Sequence, residues 1–435
     1  MVLTKRFWIL AAAGIPLAAV CGLLGSVLPA IAYDILILLA AWGTTFLAPS
    51  AKGLRLSRSF DPVLSVRAWN KVRLLLYNDG PEQMVLSLRD EPPERFSVER
   101  QEFNVTLPPG ESRTVEYEVR PVERGSDAFR GTFVRVHCPF GLAVRQEFLT
   151  TEEPVRIYPN ILALREFNLL RQQGRLRDIG IRRTRTRGLG TEFESIRQYS
   201  EGDDYRKIDW KATARKGDLM VRQYEQERNQ PVIICIDVGR HMLSEVYGVR
   251  KLDHVLDSLL MLANAAAIAG DQVGLIVFSD TVKRYLPPKK GHSQISLIIE
   301  ASHDLVAEPV ESDLPGALAY LAQRWNRRSL LVIFSDCVDP DRAQNLLRGL
   351  APAARRHLTL FCRINDGRIN EIEARKTETV KDMYQKAGAA FVMEDRRAAQ
   401  SLFTNAKVNV LDSEPQELAA KLVNYYFMVK EKNKI

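Results

Sequence analysis

"PVIICIDVGRHM", residues 231–242, decides the fold. Its apolar run from Val232 to Ile236 ends in an aspartate, as a strand buried on both faces of a parallel sheet would. A strand with one wet face would alternate instead. Two more runs of this kind follow, "QVGLIVFS" (272–279) and "SLLVIFSD" (329–336), and "HLTLFCRI" (357–364) is a fourth. Helical spacing separates them, through Leu252, Val255, Leu256, Leu259, Leu262 and Ala266, and again over 313–325 and 339–350. Strands alternating with helices predict a doubly wound α/β domain over 231–435. A last helix has Ser413 as its N-cap and Pro415 in its first turn, with Leu418, Leu422, Tyr425 and Val429 along one face.

Working outward, residues 51–159 read as strands. "VRLLLYNDGPEQMVLSLRDE" joins two apolar runs through Asn78-Asp79-Gly80, a hairpin signal. "FNVTLPPGESRTVEYEVRP" repeats the theme, and "GTFVRVHCPFGL" adds another strand. The expectation is a small antiparallel β-sandwich with no catalytic residue in it. Phe7 to Pro49 is almost wholly apolar, with Asp34 inside it and a break around Gly22–Pro29, which fits two helices of about 20 residues each. Residues 1–50 are therefore expected to form a transmembrane helical hairpin. Lys5 and Arg6 before it, and Lys52, Arg55 and Arg58 after it, place both ends in the cytoplasm. The expected localisation is the inner membrane, multi-pass, with cytoplasmic soluble domains. Asp34 reads as an interfacial residue near the hairpin end rather than an intramembrane site. The five scattered cysteines carry no metal or disulfide spacing and suit a reducing compartment.

The 435 residues carry a formal charge of +8, much of it in one stretch, where Arg165 to Arg187 holds eight arginines against Glu166 and Asp178. Such a run is either a solvated linker or a contact for anionic lipid headgroups, worth about 1 kcal/mol per residue at the surface. Nucleic acid is not the expected partner, because no aromatic residue is interleaved and no recognition motif appears. Residues 160–230 are assigned to this basic linker and to the segment "YSEGDDYRKIDWKATARKGDLMVRQYEQER" (199–228). Its aspartates could run acid–base chemistry, but arginines close by favour ionised, paired carboxylates. The expectation is an ion-pair hub in which Asp203, Asp204 and Asp209 accept from Arg206, Arg215 and Arg222. Trp210 would pack on the neighbouring domain.

Ligands of a doubly wound sheet bind beyond the carboxyl ends of its strands. Two strands end there in acids, Asp237 and Asp336. The arrangement resembles the von Willebrand factor A domain, whose metal-ion-dependent adhesion site uses Asp-x-Ser-x-Ser, a later Thr and a later Asp. Here the first element reads Asp237-Val-Gly239-Arg-His241, and both serines are missing. Ser312 or Asp313 stands where the Thr would be, and Asp336 fills the last place. Mg2+ prefers hard oxygens in octahedral geometry. The resemblance thus implies a degenerate site of Asp237, Ser312 and Asp336, with no certain cofactor and Mg2+ as the ion to test. The plain alternative is that both aspartates only hold their loops.

The charged segment resembles the signature of the bacterial domain-of-unknown-function family fifty-eight. Tyr199, Gly202, Asp203, Arg206, Ile208, Asp209, Trp210, Ala212, Thr213, Ala214, Arg215, Leu219, Tyr224 and Glu225 carry the match. "CPFGL", "IYPN", the apolar N-terminus and "DVGRHM" extend it. The resemblance implies action beside MoxR-type AAA+ ATPases in assembling or maturing other proteins. The expected function is a membrane-anchored adaptor, not an enzyme, that binds protein partners including such an ATPase and an unnamed client. No phosphate-binding G-x-x-x-x-G-K-[ST] loop is present for hydrolysing ATP itself. One alternative is a metal-dependent hydrolase using Asp203, Asp204, Asp237 and Asp336; another is a protein that binds anionic lipid surfaces.

Overall fold

The computed structural model describes residues 2–25, 28–46, 49, 53–138, 141–173, 181, 192–200, 203–225, 230–337 and 340–432. Most of the arginine-rich run and Gly202 lie outside them. The chain divides into two units, Met1–Asn160 and Ile161–Ile435.

The first unit opens with two helices, α1 (Lys5–Leu23) and α2 (Leu28–Phe46). They pack through Phe7, Ile37 and Ala41, while Trp8, Ile9, Ile15, Leu23 and Leu36 stay exposed. Side chains of this kind avoid water, and hydrocarbon is their natural surroundings. With a mean hydropathy of 1.7, α1 is long and apolar enough to cross a membrane. The apolar helix Leu28–Thr44 is shorter, so the same measure supports one crossing rather than two. Asp34 lies in the second turn of α2, against Gly14 of α1; a Cβ at Gly14 would come within 3.0 Å of its carboxylate.

Among the described residues, eight strands of three residues or more follow: β1 (Leu54–Phe60), β2 (Asn70–Asn78), β3 (Met84–Glu91), β4 (Phe96–Val98), β5 (Glu102–Leu107), β6 (Ser112–Pro121), β7 (Gly125–His137) and β8 (Ala143–Tyr158). They form two sheets, ordered β8-β7-β3-β5 and β1-β2-β6-β4, and the pairs between these strands are antiparallel. Strict alternation in β2 buries Val72, Leu74 and Leu76 against Leu86, Leu88, Phe129, Val134 and Val136. The expected hairpins are not hairpins. β2 and β3 lie in opposite sheets, as do β5 and β6. Asn78 is fully buried and its side chain is spent inside the turn, donating to Glu82 O and Leu107 O and accepting from Gly80 N. The turn therefore carries the chain across the core from one sheet to the other.

Arg58 also departs from expectation. Its side chain is fully buried and bonded to Asp90, with Nη2–Oδ1 at 2.6 Å and Nε–Oδ2 at 3.1 Å. It is thus not a surface charge. Tyr117 and Thr132 donate to the same carboxylate, and the guanidinium lies over the Phe129 ring. Arg58 and Tyr117 come from one sheet, Asp90 and Thr132 from the other, so the cluster pins the sandwich through its middle.

In the second unit, β11 (Pro231–Asp237), β12 (Gln272–Phe278), β13 (Val282–Lys289), β14 (Leu330–Phe334), β15 (Leu358–Ile364) and β16 (Asn409–Ser413) form one sheet, ordered β13-β12-β11-β14-β15-β16. All neighbours are parallel except the β12–β13 edge pair. One face packs on α5 (Lys251–Ile268), α6 (His292–His303) and α11 (Pro415–Glu431), the other on α7 (Leu314–Arg324), α8 (Pro340–Arg356) and α10 (Val380–Asn405). The order reverses between β11 and β14, which is where such sheets open a crevice for ligands. On α11, Glu414 rather than Ser413 is the N-cap, and Tyr426 rather than Tyr425 is buried. Tyr426 and Lys430 both donate to the buried Asp271, at 2.5 and 2.7 Å, clamping α11 to the sheet.

Candidate functional site

The crevice between β11 and β14 brings Asp237 and Asp336 together with Ser312, as the spacing implied, and adds partners that the spacing did not. Asp237 is fully buried and accepts from Gly239 N at 2.8 Å, Ser335 Oγ at 2.5 Å and the Ser312 hydroxyl. Asp313, the alternative to Ser312, instead caps α7 by accepting from Gly316 N. A Cβ at Gly239 would overlap the Ser312 hydroxyl, so the serine occupies the space that a side chain there would need. Asp336 is buried and paired with Lys251 Nζ at 2.6 Å. Burial pushes its carboxyl upward, but Lys251, then Arg396 and His241, outweigh this and hold it below the usual carboxylate range. Arg342 lies 3.9 Å from Asp237 Oδ2, donates to Asp336 O, and pairs with Glu311. Burial, then Arg342, lowers the pKa of His241, so its imidazole is neutral at pH 7.

These residues do not fit a divalent ion. Two buried carboxylates already face two cations, and Gly239 offers no side-chain oxygen. Of the four carboxylate oxygens of Asp237 and Asp336, only Asp336 Oδ1 has no hydrogen-bond partner. Among the described residues, no group of three or more His, Cys, Asp or Glu side chains is placed to hold a metal. Asp203, Asp204, Asp237 and Asp336 accordingly do not gather into one such group. Adding Mg2+ or Mn2+ to the protein is expected to leave its Tm unchanged; a saturable rise would reveal a site that binds only the folded state.

Lys251, Arg342 and Ser335 were missed by sequence reasoning. Ser335 directly precedes Asp336 in "IFSD" and could have been found as a tip residue. Lys251 lies 85 positions from its partner, and no local pattern marks it.

In the charged segment, β9 (Glu192–Gln198) and β10 (Met220–Glu225) form a hairpin around a short 3-10 turn (Tyr205–Lys207) and α4 (Trp210–Lys216). Asp203 pairs with Arg197 rather than Arg206, through two bonds of 2.6 and 2.8 Å, and accepts from Ser200 N. Arg197 first, then that amide, depress its pKa. Asp204 caps the 3-10 turn by accepting from the backbone N of Arg206, not from its side chain. Asp209 caps α4 through Lys211 N and Ala212 N and accepts from Arg222 Nε at 2.8 Å, with Arg222 the main cause of its lowered pKa. Arg206 and Arg215 form no ion pair with these aspartates and are exposed. Trp210, expected to pack on a neighbouring domain, is 68% exposed, and Tyr205 is 72% exposed and stacked with Tyr199. The acids build the scaffold, and Tyr205, Trp210, Arg206 and Arg215 face outward.

Asp209→Ala is expected to fray α4 while leaving the β11–β16 sheet intact, read by faster amide exchange over 210–221. Unchanged exchange there would mean that the cap is dispensable.

An uncharacterized protein of Mycobacterium tuberculosis is 29% identical over 193 residues, covering 42% of this chain and 58% of its own length. The uncharacterized protein YeaD of Bacillus subtilis is 26% identical over 161 residues, 36% of this chain and 39% of that protein. The chain thus spans little more than half the length of these relatives at best. Among solved structures, a conserved hypothetical protein, BatB of Bacteroides thetaiotaomicron, aligns at 14% identity and a TM-score of 0.32, over 47% of this chain and 100% of that one. A score that low carries no argument. Residues 195–408, from β9 through the strand tips to the end of α10, match the family model described as "Protein of unknown function DUF58".

Proposed function

We propose that this chain is a membrane-anchored adaptor whose charged segment docks a protein partner, a MoxR-type AAA+ ATPase, in assembling or maturing other proteins. The supporting observation is the outward presentation of Tyr205 and Trp210 beside Arg206 and Arg215, on a frame whose acids are spent on capping and pairing. Tyr, Trp and Arg dominate the energetically important positions of protein interfaces. Such a side chain stays exposed at a cost in solubility unless something covers it. The α/β unit is read as von Willebrand A-like from its strand order and its acid-tipped strands. An internal ion pair takes its metal position, which supports reading it as a scaffold. Membrane attachment is through α1, with α2 packed beside it. The class of partner comes from the family resemblance alone.

Full-length protein in detergent should co-purify with the ATPase in at least one nucleotide state. Trp210→Ala should weaken that capture by about tenfold or more, with an unchanged circular dichroism spectrum. Equal capture by the variant would remove this surface from the proposal, and no capture in any state would remove the partner.

A further inference from the structure

The face of α10 turned away from the sheet is apolar. The helix buries Ala389, Arg396, Ala399 and Phe403. Val380, Tyr384, Ala387 and Phe391 recur at helical spacing on the opposite side, and Val380, Tyr384 and Phe391 are 69%, 77% and 66% exposed. Met383 widens the stripe and is 59% exposed. From Val380 to Phe391 it runs about 17 Å at 1.5 Å per residue. Large side chains lie toward both ends, and Ala387 and Gly388 form the middle, where a Cβ on Gly388 would meet nothing.

We infer that a second copy of this chain covers the stripe, with the two α10 helices antiparallel about a two-fold axis near Ala387–Gly388. Two features select this occupant. A two-fold axis there sets Tyr384 of one copy beside Phe391 of the other and small residue against small, so the bulk of each end meets the bulk of the other while the backbones approach at the centre. The charges agree: Lys381 flanks one end of the stripe, Glu394 and Asp395 the other. Antiparallel pairing sets Lys381 against the acids of the second copy, whereas parallel pairing sets like against like. Such an isologous contact closes on itself and forms no filament. One helix pair of this length buries less than the roughly 1,200 Å² of a standard specific interface, so the association is weak and needs trapping to be seen.

The test uses full-length protein in detergent. The five native cysteines are buried, so an introduced thiol can be read above a low background. Ala387→Cys should crosslink to itself with a short bismaleimide, and Gln400→Cys, exposed on another side of the helix, should not. In the Ala387→Cys background, Lys381→Glu should cut the crosslinked fraction about tenfold, as like charges now face each other. Glu394→Lys with Asp395→Lys should do the same. Mixing these two variants should restore crosslinking, because the mixed pair regains opposite charges at both ends. That recovery is peculiar to self-pairing. The inference is overturned if Ala387→Cys fails to crosslink, if mixing restores nothing, or if the thiol reacts only with a different protein or is shielded only by lipid vesicles.

Discussion

Lys251→Met is expected to destabilise the α/β unit by about 3–5 kcal/mol, the usual cost of breaking one side of a buried ion pair. The variant leaves the Asp336 carboxylate buried at 2% exposure with its closest counter-charge removed. Thermal unfolding of this unit should drop by about 10 °C. Removing both charges with Lys251→Met and Asp336→Leu should recover most of the loss, since an apolar pair of similar volume avoids the desolvation. If the single variant melts like the parent, the pair does not hold the strand tips, and the case against a metal there weakens with it. The pH dependence has a definite sign. The native Asp336 pKa lies below its unfolded value, so its contribution is complete above about pH 4 and is lost as pH falls through the native pKa. The destabilisation caused by Lys251→Met should therefore shrink as pH falls below about 4, because the parent then loses a contribution that the variant lacks.

Asp90→Ala should have an effect of similar size, about 3–5 kcal/mol, on the β-sandwich. Arg58 would lose its counter-charge with its side chain at 0% exposure, and the hydroxyls of Tyr117 and Thr132 would lose their acceptor. Burial first, then Asp90, pushes the Tyr117 hydroxyl far above its ordinary range, so it stays a proton donor at any physiological pH. Hydrogen exchange confined to residues 54–158 is the readout. Loss of protection spread evenly over both sheets is expected, because the cluster joins them. Loss in one sheet only would mean that the sheets are held independently.

How far these features could be read from sequence follows from what each one depends on. "PVIICIDV" was legible because a strand covered on both faces has to be apolar throughout. The tip acids followed from where such strands end. α10 was not legible: Tyr384 and Phe391 face outward while Arg396 is buried, which blurs the two-sided pattern that marks an ordinary surface helix. Asp209 with Arg222 was readable across one hairpin, but Asp203 found Arg197, a residue just before the charged segment 199–228. Lys251–Asp336 and Arg58–Asp90 join residues 85 and 32 positions apart, and only the tertiary fold decides such pairings.

The sandwich turns that cross between sheets also bear on how the unit comes into being. Because β2 leads into the opposite sheet, its second partner β6 begins 34 positions beyond its own last residue, and β3 meets its second partner β7 across a gap of the same kind. The pairs β1–β2, β3–β5 and β7–β8 are local, but joining them into sheets requires long loops to close before the contacts that reward them form. That topology places the sandwich among slow folders, on the order of milliseconds to seconds. Throughout that interval the apolar edges of half-built sheets are exposed, with the membrane-seeking α1 already synthesised ahead of them.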